Sequence, residues 1–125
     1  MKYVSKSQAQ KVSNGPTASV LEYLTDDPDI DGAVATVNGR YPASGGFVVN
    51  EACKELLYVL SGSSKLFTKE TSIELNPGDQ VLIDQGELFR YEPAQDLVLF
   101  AACTPAWQAE QHKEVAGNNA QQVKH

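Results

Sequence analysis

A chain of 125 residues fits one domain with a single core, and 42% hydrophobic and 21% charged residues are ordinary for a globular protein. A formal net charge of −6 and a sequence pI near 4.8 set an acidic surface against phosphate backbones, which argues against nucleic-acid binding. No apolar run approaches the roughly 18 residues that span a bilayer, and MKYVSKSQAQKV lacks a signal-peptide h-region, so a cytoplasmic protein with no membrane partner is expected.

Residues 1–14 are polar and weakly alternating, with Tyr3 and Val4 a candidate edge strand. Asn14-Gly15-Pro16 marks a turn, and residues 18–24 (ASVLEYL) read as a strand or one short helix. The four aspartates of residues 25–32 (TDDPDIDG) make a solvated loop. An EF-hand is excluded, because counting from Asp26 puts Asp31 and Val37 where glycine and glutamate are needed. Residues 33–37 (AVATV) read as a short strand, and Gly45-Gly46 calls for a bend or a close backbone approach.

Between Lys54 and Tyr91 the pattern is regular. Apolar runs at 56–60, 65–67, 73–75, 81–83 and 88–91 alternate with turn signals, which points to an all-β sandwich or barrel. Asn76-Pro77-Gly78-Asp79 has the proline and glycine of a type II turn. In the strand 54–61, Glu55, Leu57 and Val59 share one face, and Leu56, Tyr58 and Leu60 the other. Both faces are apolar, so the outward one calls for a second layer or a second subunit, and a homodimer is expected.

Residues 97–103 (LVLFAAC) form a continuous apolar run, read as a strand buried on both sides. Residues 107–116 (WQAEQHKEVA) have helical propensity and read as a short C-terminal helix carrying His112 on its surface. The stretch 117–125 has no apolar pattern and reads as a disordered tail, which leaves 1–116 as a single domain. Cys53 and Cys103 lack metal-ligand spacing and read as buried small hydrophobes.

Glu55, six residues, then Gly62 matches the end of the first cupin motif; Gly78 and Gly86 match the glycines of the second. On these residues the chain resembles the cupin family over roughly 41–107, and the resemblance implies a double-stranded β-helix (jelly-roll) barrel. It also implies a metal site of three histidines and a glutamate. Here the first-motif histidine positions fall on Val49 and Glu51, or Val48 and Asn50, and the third falls on Phe89. Asp84 and Pro93 stand at the second motif's Pro and Asn positions. No imidazole-built metal site is therefore expected, and the oxygens of Asn50, Glu51 and Glu55 make too thin a shell for a hard cation. No cofactor is expected.

The candidate chemistry centres on Glu55. A carboxylate among Leu57, Val59, Phe89 and Tyr91 would be desolvated and its pKa raised, which poises it as a general base; a structural or ligand-binding carboxylate fits the same position. The candidate ligand-binding set is Tyr41, Glu51, Glu55, Phe67, Phe89 and Tyr91, around an unidentified small molecule. Arg40 fits either an anion clamp at the barrel mouth or a surface ion pair, and Arg90 should point outward. Cupins host enzymes, carriers and sensors, so the expected function is small-molecule binding without a histidine-held metal. The alternatives are a metal-free isomerase, epimerase or lyase using Glu55, or a packed barrel acting through protein partners.

Overall fold

Period-two alternation of apolar and polar side chains makes a sheet with one buried face, and a long enough sheet of this kind curls until that face closes on itself. The computed structural model describes residues 1–116 and shows such a sheet. Its strands are β1 (Gln10–Ser13), β2 (Ala18–Tyr23), β3 (Asp31–Tyr41), β4 (Phe47–Asn50), β5 (Lys54–Thr68), β6 (Ser72–Leu75), β7 (Gln80–Ile83), β8 (Leu88–Thr104) and β9 (His112–Val115). The order β1-β2-β3-β8-β4-β9 is antiparallel throughout, and β5 pairs with β6, β7 and β8. The fold is an all-β, jelly-roll barrel, as expected.

Two long strands organise it. The apolar runs at 56–60 and 65–67 are halves of β5, joined where Gly62 takes φ 75. The runs at 88–91 and 97–103 are halves of β8, joined where Asp96 takes φ 46. In the loop before β7, Gly78 takes φ 92 and the Asp79 N–H donates to the Asn76 carbonyl at 3.0 Å, the expected tight turn.

Register sorts the inner face into rows. Asp31, Cys103, Glu55 and Ile83 lie across β3, β8, β5 and β7 in one row. Glu22, Ala33, Ala101 and Leu57 form the next, and Val20, Ala35, Leu99 and Val59 the one after. Leu97, Leu99, Leu66, Leu75 and Val59 are among the core side chains that lose nearly all contact with water. Each such burial contributes about 1.5–3 kcal/mol. Ala33, Ala35 and Ala101 are too short to fill the space beneath them, and a cavity remains.

Several local expectations are corrected. Residues 97–103 are buried on one side only: Leu97, Leu99, Ala101 and Cys103 point inward, while Phe100 is 43% exposed. Residues 107–116 form no α-helix. A single 3-10 turn over Ala109–Gln111 leads into β9, whose pairing with β4 satisfies backbone groups that a helix there would leave as an open sheet edge. Tyr3 and Val4 form no strand; a 3-10 turn over Lys6–Gln8, boxed by Ser5 and Gln8, precedes β1. The expected disordered tail, 117–125, lies outside the described residues. Among the described residues no helix is long and apolar enough to cross a membrane.

Candidate functional site

The alanine rows open a cavity of about 80 Å³ inside the barrel. A second pocket of about 350 Å³ adjoins it. Both are lined by Asn14, Glu22, Tyr41, Trp107 and His112, so they meet at these side chains. The second pocket lies within the range of ordinary small-molecule sites, and the inner cavity is smaller.

Strand ends deliver the polar groups. Tyr41 closes β3, Asn50 closes β4, and His112 opens β9 directly opposite Asn50 in the ladder. Glu55 stands second on β5, opposite Cys103 and Ile83. These four side chains form a continuous chain of contacts. Asn50 Nδ2 donates to Glu55 Oε1 at 2.7 Å. Asn50 Oδ1 lies 2.7 Å from His112 Nδ1, and His112 Nε2 lies 2.7 Å from the Tyr41 hydroxyl. The Cys103 thiol reaches Glu55 Oε2 at 3.7 Å. Asn50 is fully buried, and the Trp107 ring lies 5.1 Å from that of His112.

Burial dominates the electrostatics. It raises the pKa of Glu55 against the lowering effect of the Asn50 and Cys103 hydrogen bonds. It pushes His112 down to about 4, against the attraction of Glu114, so the imidazole is neutral at pH 7. Tyr41 and Tyr91 are both raised by burial and remain neutral phenols. Burial also raises Cys53 to about 11 and Cys103 further, which leaves them as thiols. On the β2–β3 side, Glu22 and Asp31 are each raised, chiefly by burial, Glu22 also by the nearby Asp31.

The structure brings four of the six sequence-derived candidates together: Tyr41, Glu55, Phe89 and Tyr91 line the inner cavity, the last two edge to face with centroids 6.0 Å apart. Glu51 and Phe67 lie elsewhere. Glu51 is exposed in the bend after β4, where its carbonyl accepts from Gln85 Nε2 at 2.7 Å. Phe67 packs against the outward-pointing Arg90, whose guanidinium lies 4.7 Å from the Phe67 and Phe47 ring centroids. Arg40 is no anion clamp: it donates to the Ala43 carbonyl and sits 3.7 Å from Glu92, outside both pockets. His112 is not a surface histidine on a helix but the first residue of β9, set into the pocket wall. The alternation of 112–115 and the aromatic Trp107 just ahead were the available signals, and the helical propensity of the segment masked them.

No protein-family model and no curated protein matches the sequence. Solved structures do match the fold. A variant of Pac13 from Streptomyces, solved with uridine, superposes with a TM-score of 0.80 at 12% identity, over 98% of this chain and 97% of that one. Pac13 is described as a nucleoside dehydratase. The polyketide cyclase RemF from Streptomyces resistomycificus superposes at 0.68 with 16% identity, over 100% and 94% of the two chains. Ectoine synthase from P. lautus superposes at 0.67 with 11% identity, over 86% and 81%. These neighbours are cupin-type barrels, and their likeness to this chain is one of fold.

Proposed function

We propose that the barrel binds a small, uncharged or cationic hydroxylated molecule and acts on it by acid–base chemistry, as an isomerase, epimerase or lyase independent of a histidine-held metal. The observation that carries this reading is the convergence of Glu55 with the Tyr41–His112 pair on the lining of one cavity. Glu55, with its raised pKa, is the base that removes a carbon-bound proton; Tyr41, at the meeting of the two pockets, engages a ligand hydroxyl. The lining favours such a ligand over an anion, because it includes Glu22, Asp31 and Glu55 and no lysine or arginine. That the same barrel hosts a nucleoside dehydratase and a cyclase supports an enzymatic reading of the cavity.

A metal site of the usual cupin kind does not fit these residues. Val48 pairs with Phe89 across the β4–β8 ladder, so apolar side chains stand where imidazoles would have to converge. Among the described residues no three His, Cys, Asp or Glu side chains gather to hold an ion. The test combines binding and exchange. Untagged protein, dialysed against a weak chelator, is offered a panel of neutral ring polyols, uridine among them, in deuterated water. Deuterium is expected to enter a carbon position of one panel member, and Glu55→Gln is expected to abolish that exchange while binding persists. One retained equivalent of iron, nickel or zinc, or exchange undiminished in Glu55→Gln, would refute the reading.

We further propose that two copies pair through the outer face of the sheet. Leu56, Tyr58, Leu60, Leu82 and Phe100 are 39–51% exposed there. In register, the rows Tyr23, Gly32, Ala102, Leu56, Leu82 and Leu21, Val34, Phe100, Tyr58, Gln80 contain no charged residue across five strands. A broad uncharged face of this kind suits a two-fold interface, which matches one surface against itself. Leu56→Asp is expected to convert a dimer to a monomer in light scattering at about 10 μM, since micromolar dissociation corresponds to about 8 kcal/mol. A wild-type monomer at that concentration would contradict the pairing.

A further inference from the structure

The hydrogens along the Tyr41–His112–Asn50–Glu55 chain are ordered by a backbone group that does not line the cavity. The backbone N–H of Ala52 can only donate, and it donates to Gln111 Oε1 at 3.0 Å. Gln111 must therefore turn its amide nitrogen the other way, and Nε2 donates to Asn50 Oδ1 at 3.2 Å. With its oxygen facing Gln111, Asn50 presents Nδ2 to Glu55 Oε1, which agrees with the acceptor character of that carboxylate. Asn50 Oδ1 can only accept, so His112 Nδ1, 2.7 Å away, must carry hydrogen.

The other ring nitrogen follows. His112 is packed between Trp107 and Tyr41, and the ionisable groups around it are Tyr41, Glu55 through Asn50, Glu114 on its own strand and Glu22 on the pocket wall. Burial keeps the ring neutral despite Glu114. A neutral imidazole with hydrogen on Nδ1 has a bare Nε2, so the Tyr41 hydroxyl donates to it across 2.7 Å. Its hydrogen is thereby committed, and the Tyr41 oxygen is left with lone pairs to offer.

We propose that Gln111 and Asn50 are positioning residues that lock His112 as its Nδ1–H tautomer, and so make Tyr41 an acceptor that selects a ligand hydroxyl. A ligand hydroxyl donating to the Tyr41 oxygen is oriented by it in the cavity, while the phenol hydrogen stays directed at His112 Nε2. The role of Tyr41 rests on the acid–base reading above; the tautomer lock does not.

The lock is read directly by long-range proton–nitrogen correlation on the full chain, labelled with 15N-histidine, at pH 7, with His125→Ala to assign the second histidine. Wild type is expected to show His112 bearing hydrogen on Nδ1, by about tenfold over the other tautomer for one hydrogen bond of ordinary strength. Asn50→Leu removes the acceptor and is expected to move the hydrogen to Nε2. Tyr41→Phe, which leaves the Ala52–Gln111–Asn50 chain intact, is expected to keep it on Nδ1 and serves if Asn50→Leu does not fold. Hydrogen on Nε2 in wild type, or a tautomer that follows Tyr41→Phe, would overturn the lock. Either result leaves the deuterium exchange assigned to Glu55 untouched, so the two readings fail separately.

Discussion

Gly62→Ala is expected to destabilise the protein by about 3–5 kcal/mol, among the largest effects available to one added methyl group. Two independent costs combine. Gly62 takes φ 75, a conformation that strains any L side chain, in the bend that joins the two halves of β5. A Cβ there would also land on the backbone carbonyls of Asp96 and Gln95 in β8, and backbone cannot swing aside as a side-chain tip would. Asp96 already sits at φ 46, held by its N–H bond to Asn38 Oδ1 at 2.8 Å, so the partner strand has little room to adjust. The expected melting temperature falls by more than about 10 °C. Gly78→Ala and Gly86→Ala are the controls: both sites have positive φ but open space around the added carbon, so each should cost only about 1 kcal/mol. A Gly62 variant as mild as these would mean that the β5–β8 approach is not tight.

The same glycine shows what was legible in the sequence. Short apolar runs at even spacing identify an all-β barrel because period-two alternation and turn chemistry are local properties, and Gly78 and Asp79 behave as their neighbours alone would require. Glu55, Leu57 and Val59 face inward and Leu56, Tyr58 and Leu60 outward for the same reason. The site was half legible. Glu55, Phe89, Tyr91 and Tyr41 lie on or beside the motif-bearing stretch, and they line the cavity. His112 was not legible, because nothing local tells 107–116 that β4 offers an open edge; that pairing is a tertiary override of helical propensity. Phe67 failed for a related reason: inward and outward are reset by the irregular register between Val59 and Leu66. The order of hydrogens from Ala52 to Tyr41 depends on three segments, at 41, 50–52 and 111–112, that meet only in the fold.

Glu55→Gln is expected to raise the melting temperature at pH 8 and to change it little at pH 5. The folded pKa of Glu55 is raised, chiefly because burial disfavours its charge, while Asn50 and Cys103 oppose the shift with hydrogen bonds. The folded state therefore holds the proton to higher pH than the unfolded chain does. The stability contributed by this group is complete below the unfolded pKa of about 4.3, and it is lost as pH rises through the folded value. Each unit of elevation corresponds to about 1.4 kcal/mol at pH 8, all of which the amide avoids. His112 has the opposite sign: with its pKa lowered to about 4, its contribution is present above about 6.5 and lost as pH falls through the folded value. That dependence is common to both proteins and cancels in the difference between them. Asn50 Nδ2 can still donate to the glutamine oxygen, so the packing of the wall is retained and the comparison isolates charge. A Glu55→Gln protein less stable than wild type at pH 8 would show that the carboxylate is held ionised by its donors, and its pKa would then not be raised by burial.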